Sequence, residues 1–267
     1  LDIGTRTIVG LVGTFCGEEF KIIAFQVEEH KKRAMYDGQV HDIKLVADTV
    51  IKVKETLESR LGTRFEKVSV AAAGRSLKTS KVEVTRQIDP LTYIDKDMIA
   101  SLEIEAVQKA QKEMKIRNSF DDEELYCVGY AVTNYYLNGT IIGSLEGQRG
   151  NTMGVEVIAT FLPKLVVDSL NTVIKQSGLS ILNLTLEPIA AMDVAIQDSF
   201  KLLNIALVDV GAGTSDIAIT KNGAVFAFAM IPTAGDEITE KIAEAFLLDF
   251  NTAEKVKLSL SKKSDIK

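Results

Sequence analysis

Two short segments of the chain combine residue types that could hold a phosphate group and a divalent cation. They read D-I-G-T at 2–5 and D-V-G-A-G-T-S-D at 209–216. An Asp at the end of a strand can bind Mg²⁺ directly or through water, and a glycine lets the backbone turn close to phosphate oxygens. The backbone N–H groups of such a turn form a concavity that binds anions, and a Thr hydroxyl adds a donor. Two segments of this kind facing each other would clamp a nucleotide between two domains.

Each segment also has a simpler interpretation, as the turn of a β-hairpin. Asp and Gly are common in turns, so the segment 2–5 taken alone leaves both interpretations open. The segment 209–216 carries two glycines, two adjacent hydroxyl residues and a second Asp between apolar strands, which is more than a plain hairpin needs. Because the same residue types recur on two equivalent hairpins, the pair predicts a phosphate and cation site.

Three other places carry candidate ligand groups. Glu187 lies between a strand and a helix, where it could position an attacking water or a Mg²⁺-bound water, or could simply favour the helix dipole. Gly235 precedes a helix whose N-terminus could bind phosphate, although Asp236 could equally cap that helix. Glu254 and Lys257 share one face of a helix, an arrangement that is more often a solvated ion pair than a ligand site.

Composition and the remaining reactive residues narrow the possible functions. The net charge of −6 over 267 residues argues against a nucleic-acid partner. Cys16 and Cys127 do not form a metal-binding spacing, and we expect two buried, reduced thiols. His30 and His41 have no Cys, His or acidic neighbours at metal-ligand spacing, so both are interpreted as surface residues. No apolar run reaches the roughly 18 residues of a membrane span.

Hydrophobic periodicity predicts the elements that position these residues. Residues 1–28 are predicted to form three short strands, two of them over 7–12 and 20–27. Further strands are predicted over 68–73, 82–88, 126–137, 153–162, 181–186, 204–210, 214–220 and 224–231. Helices are predicted over 43–61 with a stop at Gly62, from an Asp95 cap to Arg117, from Pro163 to Gly178, from Pro188 to about Phe200, over 236–248, and after a Thr252 cap.

The order of these elements predicts the fold class. The chain contains the same series of elements twice: three antiparallel strands, a helix, and then parallel strand–helix units. This repeated series indicates an α/β fold made of duplicated ribonuclease-H-like domains. The block 77–160 interrupts the first copy and is predicted to be an inserted α+β subdomain. Because the chain opens within a strand and stops just after a helical stretch, we expect both ends to be trimmed and the fold to be C-terminally incomplete.

The same residues resemble the actin, Hsp70 and sugar-kinase ATPase superfamily. D-I-G-T at 2–5 is similar to its first phosphate loop, L-E-P-I-A-A at 186–191 to its first connecting segment, and D-V-G-A-G-T-S-D at 209–216 to its second phosphate loop. Within the superfamily the chain most resembles the FtsA family of bacterial cell-division proteins, over essentially its whole length. The supporting strings are V-A-A-A-G-R at 70–75, I-P-T-A-G-D-E-I-T at 231–239 and T-A-E-K-V-K at 252–257.

The resemblance implies a role for each candidate residue. It assigns Asp209 and Glu187 to Mg²⁺ and the attacking water, and it places Asp2 facing the phosphates. Asp2 and Asp209 are the predicted Mg²⁺ ligands, and Glu187 and Asp209 the predicted catalytic residues. The residues implied at the nucleotide are Gly4, Thr5, Arg6, Gly211, Ala212, Gly213, Thr214, Gly235, Glu254 and Lys257, the last two near the ribose and base. Two positions depart from the family, since Ala212 stands where it usually has a third glycine and Arg6 where it has Lys or a smaller residue.

The resemblance also implies a division into subdomains. Residues 1–76 and 161–200 would form actin-like subdomain 1A, the block 77–160 an inserted 1C-like subdomain, and residues 201–267 the start of subdomain 2A. We expect the later glycine-rich adenosine motif and the membrane-binding C-terminal helix of the family to be absent from this chain.

The implied function is nucleotide-dependent assembly in bacterial cell division, with ATP and Mg²⁺ as ligands and at most slow ATP turnover. Two alternatives are a pilus-assembly-type adaptor that binds nucleotide without turnover and a small-metabolite kinase, for which no further catalytic base is evident. Expected partners are other copies in protofilaments and a cell-division protein such as a tubulin-like one, without nucleic acid. The expected location is cytoplasmic, with membrane contact at the division site only through a segment absent from this chain.

Overall fold

The computed structural model describes residues 1–17, 19–72, 76–117, 124–196, 200, 203–221 and 224–261. The strands within these ranges are β1 (Asp2–Ile3), β2 (Thr7–Cys16), β3 (Glu19–Glu29), β4 (Met35–Tyr36), β5 (Gln39–Val40), β6 (Lys67–Ala72), β7 (Lys78–Gln87), β8 (Leu125–Leu137), β9 (Thr140–Ile142), β10 (Thr152–Pro163), β11 (Ser180–Leu186), β12 (Ala206–Val210), β13 (Ser215–Lys221) and β14 (Ala224–Ile231). The helices are α1 (Ile43–Leu61), α2 (Lys96–Arg117), α3 (Lys164–Gln176), α4 (Glu187–Ala195), α5 (Gly235–Phe246) and α6 (Phe250–Ser261).

A five-stranded mixed sheet in the order β11-β6-β1-β2-β3 brings two of the candidate carboxylates to one edge. Strand β6 pairs in parallel with both β1 and β11, with Ala71 opposite Asp2 and Ala72 opposite Leu186. The carboxyl ends of parallel strands meet at the same edge of a sheet, where α/β folds place ligands. Asp2 and Glu187 therefore lie at that edge on either side of β6.

Helices α1 and α3 cover this sheet and build its core. Helix α1 begins at its Asp42 cap, which accepts a hydrogen bond from the Leu45 N–H, and ends at Gly62 in the left-handed conformation. The predicted stop at Gly62 is confirmed, whereas the Asp42 cap was not predicted. Its apolar residues recur every three or four positions, so they form one buried face. The buried residues of α1 and α3 are Val46, Ala47, Thr49, Val50, Val53, Leu57, Val166, Leu170, Val173 and Ile174.

The block between β6 and α3 forms a second sheet in the order β7-β10-β8-β9, and α2 packs against it. The Asp95 cap is confirmed, because the Met98 N–H donates to Asp95 Oδ1 at 2.8 Å. The buried face of α2 meets the apolar face of β10 in a core separate from that of the first sheet. We call the first two sheets with their helices the first lobe.

A third sheet, β12-β13-β14, carries the second candidate motif. It is an antiparallel meander like β1-β2-β3, which confirms the predicted repetition of the opening hairpins. Helices α5 and α6 pack against each other beside it, and together these five elements are called the second lobe. Helix α4 contacts β6 and β11 of the first lobe and β12 and β13 of the second.

Several local predictions were wrong. The cap of the last helix is Asp249, whose carboxylate accepts from the Thr252 N–H at 3.0 Å and whose side chain therefore satisfies a donor of the first turn. Cys16 is exposed because β2 and β3 extend beyond their predicted ends, and Cys127 is half-buried; both are free thiols. The hairpin β4–β5 was not predicted, although its D-G turn at 37–38 is a typical hairpin signal.

Two predicted boundaries touch segments outside the described residues. The strand predicted over 68–73 is described as far as Ala72, and positions 73–75 lie outside the description. Helix α4 ends at Ala195, earlier than the predicted Phe200, and 197–199 are likewise outside it. Among the described helices, none is long and apolar enough to cross a membrane.

Candidate functional site

The two hairpin loops have the same backbone geometry. The Gly4 N–H donates to the Thr7 carbonyl at 3.0 Å, and the Gly211 N–H donates to the Thr214 carbonyl at 2.9 Å. A Cβ placed on either glycine would stand 3.1 Å from the carbonyl oxygen that its own N–H contacts. Because these distances agree, Gly4 and Gly211 occupy equivalent positions in two copies of one loop.

The loops face each other across a cleft of about 320 Å³. The residues that line it are Asp2, Gly4, Thr5, Arg6, Thr7, Ala71, Glu187, Ala190, Ala191, Asp209, Gly211, Ala212, Thr214 and Asp216. Nine of the predicted site residues are in this set. Gly213 lies where the loops touch, since a Cβ there would be 2.9 Å from both Thr5 Oγ1 and Thr5 Cγ2. The Gly235 N–H donates to the Gly211 carbonyl, Lys257 donates to the Gly235 carbonyl, and Glu254 pairs with Lys257. None of these three residues is in the set that lines the cleft.

Four carboxylates face this cleft, and they repel one another. Burial, followed by a hydrogen bond with Asp2 and the charges of Asp2, Asp216 and Asp209, raises the pKa of Glu187 to about 10. Burial and the charge of Asp209 raise the pKa of Asp216 to about 6, although a hydrogen bond with Thr214 opposes the rise. A protonated Glu187 can thus donate to Asp2 and reduce the repulsion.

Two carboxylate oxygens in the cleft lack a donor. Oδ1 of Asp2 and Oδ1 of Asp216 are buried and have no hydrogen-bond partner among the described residues. No group of three or more Asp, Glu, His or Cys side chains in the described ranges could hold a metal ion directly. The arrangement fits hydrated Mg²⁺, which keeps several waters and contacts one or two carboxylates.

Asp216 was part of the predicted motif, but the sequence analysis gave it no role. It lies directly opposite Asp209 in the β12–β13 ladder and is only 3% exposed. Its position in the first hairpin is taken by Val9, which pairs with Asp2. The alternation of β13 turns Asp216 to the buried side, and this pattern could have indicated that Asp216 belongs to the site.

The N-terminus of α5 anchors the second loop. The Gly235 N–H donates to the Gly211 carbonyl at 3.1 Å, and the Asp236 N–H donates to the Ala212 carbonyl at 2.7 Å. In a trans peptide the carbonyl and the following N–H point in opposite directions. These contacts therefore direct the N–H groups of Ala212 and Gly213 away from α5. The N-cap position of α5 is Ala234 rather than Asp236, whose carboxylate accepts from Arg6 and Arg33 instead.

Arg6 joins the first loop to both helices of the second lobe. Its guanidinium donates to Oδ1 of Asp236 and to Oε1 of Glu254. Arg33 donates to the other oxygen of Asp236, Oδ2, at 3.3 Å. Both guanidinium groups lie against the ring of Phe250, at 5.7 Å for Arg6 and 5.3 Å for Arg33. We call this set of residues the arginine cluster.

Glu254 and Lys257 are not a solvated pair, so that interpretation was wrong. Their side chains are 13% and 21% exposed and form an ion pair at 2.8 Å. Lys257 Nζ also donates to the Gly235 carbonyl at 2.9 Å, and Thr239 donates to Glu254. Burial alone would raise the pKa of Glu254, but hydrogen bonds from Lys257, Thr239 and Arg6 lower it to about 2.

Residues of the segment after β3 also contact the first loop, and the sequence analysis missed them. His30 is half-buried rather than on the surface, and its Nε2 lies 3.2 Å from the Gly4 carbonyl oxygen. The Gly38 N–H donates to Thr5 Oγ1 at 3.1 Å. His41 is exposed, as predicted, and stacks edge-on against Tyr36. No local pattern marks His30, because its partner lies 26 residues away in the sequence.

Comparison with known structures identifies the fold. The fold matches the structure titled PilM-PilN type IV pilus biogenesis complex, with a TM-score of 0.67 at 20% identity over 97% of this chain and 68% of that one. It also matches the ethanolamine utilization protein EutJ from Carboxydothermus hydrogenoformans, with a TM-score of 0.52 at 18% identity over 96% of this chain and 59% of that one. The fold is that of the actin-like ATPases.

Sequence comparison gives the narrower relationship. The model of the family described as Cell division protein FtsA matches residues 206–266. The chain is 26% identical to cell division protein FtsA of Pseudomonas aeruginosa over 97% of this chain and 59% of that protein, and 24% identical to that of Bacillus subtilis over 97% and 57%. In sequence the chain is therefore similar to FtsA proteins. It spans slightly more than half the length of these relatives.

Proposed function

We propose that the cleft between the two hairpin loops binds an adenine nucleotide together with Mg²⁺. The observation that carries this proposal is the pair of geometrically equivalent loops, which meet at Thr5 and Gly213. A fold of two such loops places backbone N–H groups on both sides of a ligand, where a phosphate group can accept from each. Thr5 Oγ1 accepts from the Gly38 N–H, so its own hydrogen is free to be donated to a phosphate.

The charge of the cleft determines the form in which nucleotide enters. Among the described residues that line the cleft, Arg6 is the one cationic side chain, and it is already paired with Asp236 and Glu254. Mg²⁺ held through water by Asp2 and Asp209 would neutralise phosphate charge. Glu187 would lose its raised pKa as the cation favours its ionised form. We therefore infer that free nucleotide is repelled and the Mg²⁺ complex is bound.

For the intact protein, we propose nucleotide-dependent assembly during bacterial cell division. The support is the similarity to FtsA proteins along 97% of this chain. In this proposal, residues 1–76 and 161–200 form subdomain 1A, 77–160 a 1C-like insert and 201–267 the start of 2A. Other copies of the protein in a protofilament and a tubulin-like division protein are the proposed partners, and the proposed location is the cytoplasm, at the division site.

A second candidate function is an adaptor that binds nucleotide without turnover. It is favoured by the pKa of Glu187, which is raised to about 10 by burial and its acidic neighbours. A protonated carboxyl cannot take a proton from an attacking water, so hydrolysis requires that the bound cation first ionise Glu187. Release of inorganic phosphate from bound ATP distinguishes a slow ATPase from the adaptor.

The test is equilibrium binding of Mg²⁺-ATP and Mg²⁺-ADP to the 267-residue chain and to Asp209→Asn. Asp209 is exposed to the cleft, so removing its charge should leave the fold intact and weaken binding at least about tenfold. Asp193→Asn is the matched control, since Asp193 is an exposed acid on α4 that does not line the cleft. Equal binding by the two variants, or no binding by the wild-type chain, contradicts the proposed site.

A further inference from the structure

His30 contacts the first loop through its backbone and its ring. Its backbone N–H donates to the Arg6 carbonyl at 3.0 Å, extending the β2–β3 ladder by one hydrogen bond. Its ring Nε2 lies 3.2 Å from the Gly4 carbonyl oxygen, and Nδ1 lies 3.3 Å from Thr49 Oγ1 on α1. A carbonyl oxygen can only accept, so Nε2 carries the hydrogen in this contact.

The second loop shows what this contact does. Gly211 is equivalent to Gly4, and its carbonyl accepts from the Gly235 backbone N–H at 3.1 Å. Each loop thus has its glycine carbonyl held from behind by one donor. In the second loop the donor is a fixed backbone group of α5, whereas in the first loop it is a side chain that can titrate.

The direction of the Gly4 carbonyl sets the direction of the next N–H. The two groups belong to one trans peptide and point in opposite directions. Since His30 holds the Gly4 carbonyl from behind the loop, the Thr5 N–H is directed away from His30. Thr5 lines the cleft, and it is the residue against which Gly213 of the second loop packs.

We propose that His30 is a positioning residue of the nucleotide site: its Nε2–H holds the Gly4 carbonyl so that the Thr5 N–H faces a bound phosphate. The proposal rests on the proposed nucleotide-binding function for its ligand, but the contact itself exists without ligand. In this proposal, His30 does for the first loop what the N-terminus of α5 does for the second: each donates a hydrogen bond to the glycine carbonyl.

Protonation of His30 should strengthen anion binding. The Thr49 hydroxyl donates to the Leu45 carbonyl at 2.9 Å, so both ring nitrogens face oxygens that can accept, and the doubly protonated ring satisfies both. Burial nevertheless lowers the pKa of His30, against the Gly4 hydrogen bond and the charge of Glu29, which raise it. A phosphate in front of the loop would favour the cationic ring and so bind more tightly at acid pH.

A test of this pH dependence must leave the other charged groups around His30 unchanged. Glu29 precedes it in the chain, and Arg6 lies in the loop that it contacts. The charged side chains that line the adjoining pocket are Arg6, Glu29, Lys31, Lys32, Arg33 and Asp236. On α1 the direct contact is the neutral Thr49. All of these remain when His30 alone is substituted, so the difference between variants isolates its contribution.

Two substitutions separate the ring nitrogens. The amide nitrogen of Gln can take the place of Nε2 and keep a donor on Gly4, whereas that of Asn can take the place of Nδ1 and reach Thr49 only. The first readout is amide exchange and chemical shift of Gly4–Thr7 in the ligand-free 267-residue chain. The proposal predicts a wild-type loop in His30→Gln and a perturbed loop in His30→Asn. A loop that is unchanged in both variants, or equally perturbed in both, overturns it.

The second readout is the affinity for Mg²⁺-ADP between pH 5.5 and 7.5. His30→Asn should bind about fivefold to tenfold more weakly, the effect of one lost hydrogen bond, and His30→Gln should restore neutral-pH affinity. The wild type should gain affinity relative to His30→Gln as pH falls. The control is His41→Gln, since the chain contains only two histidines and His41 is exposed. If the wild type and His30→Gln have equal pH profiles, the protonation step is overturned. If the wild type binds no nucleotide, the proposed function is refuted, but amide exchange and chemical shifts of Gly4–Thr7 still decide the role of His30.

Discussion

At the scale of single residues, the environment of Glu187 determines what the cleft can do. The Glu187 carboxyl group lies at the carboxyl end of β11 beside Asp2, and its acidic neighbours come from both lobes. Its ordinary pKa of 4.5 is raised to about 10, first by burial and then by Asp2, Asp216 and Asp209. The ligand-free protein therefore holds a proton at Glu187 over the whole physiological range.

This proton makes stability depend on pH. The folded chain keeps it up to about pH 10, whereas the unfolded chain releases it above about pH 4.5, so unfolding releases a proton within this window. The free energy of unfolding should therefore fall as pH rises, by at most about 1.4 kcal/mol per pH unit. Glu187→Gln cannot ionise, so we expect it to be more stable than the wild type at pH 8 and to lack this slope.

Urea unfolding of both proteins between pH 6.5 and 8 measures the difference. This range lies above the pKa of about 6 of Asp216, so that carboxyl contributes little to the slope. Asp193→Asn on the exposed side of α4 serves as the control and should keep the wild-type slope. A Glu187→Gln variant with the same slope as the wild type would show that Glu187 is ionised in the folded protein.

At the scale of elements, the two hairpins work as a pair because their loops touch. A Cβ on Gly213 would be 2.9 Å from Thr5 Oγ1 and 3.2 Å from the Asp37 backbone nitrogen. Thr5 is itself held by the Gly38 N–H of the β4–β5 turn, so it cannot easily move aside. The absence of a side chain at 213 therefore permits the close approach of the two loops.

We expect Gly213→Ala to separate the loops and destabilise the chain by about 1–3 kcal/mol, the usual cost of overpacking. Nucleotide affinity should fall with it, since the donors of the two loops would no longer face one ligand. Gly143→Ala is the matched control, because a Cβ there has nothing within 4 Å. Thermal unfolding and Mg²⁺-ADP binding of the two variants test this; equal behaviour would mean that the loops do not meet at Gly213.

At the scale of the whole molecule, the arginine cluster ties the first lobe to the second. Arg6 is 23% exposed, and its partners Asp236 and Glu254 are 9% and 13% exposed, so these ion pairs are better shielded from water than ordinary surface pairs. Arg33 adds a second link through Asp236 and a third through Glu240 at 3.1 Å. The lobes are thus joined at the mouth of the cleft by charges that salt can screen.

Arg6→Ala should loosen this connection. We expect the variant to be less stable by about 2 kcal/mol, the value of hydrogen bonds to charged groups, and the amides of α5 and α6 to exchange faster. Arg86→Ala is the control, since Arg86 pairs with Glu105 inside the first lobe. Small-angle scattering should show that the wild type expands between low and high salt, because salt screens the charges that join its lobes. Arg6→Ala already lacks the Arg6 ion pairs, so its dimensions should not change with salt in this way. An unchanged exchange rate in α5 and α6 would rule out the cluster as the link between lobes.

The sequence by itself determined most of the elements and the repetition of the motif. The helices at 43–61 and 96–117, the Asp95 cap and the two antiparallel meanders follow from residue spacing and turn chemistry, which depend on neighbours within a few positions. The D-x-G pattern in both hairpins was sufficient to predict that they would be equivalent, and the equal distances at Gly4 and Gly211 agree with this.

Only the tertiary structure decided which side chains meet. His30 looked like a surface residue and Glu254 like a solvated one, yet His30 holds the Gly4 carbonyl and Glu254 receives Arg6 from 248 positions away. The raised pKa of Glu187 likewise depends on burial and on acids from three strands. These long-range pairings are set by how the sheets pack around α4, and no local pattern of residue types encodes them.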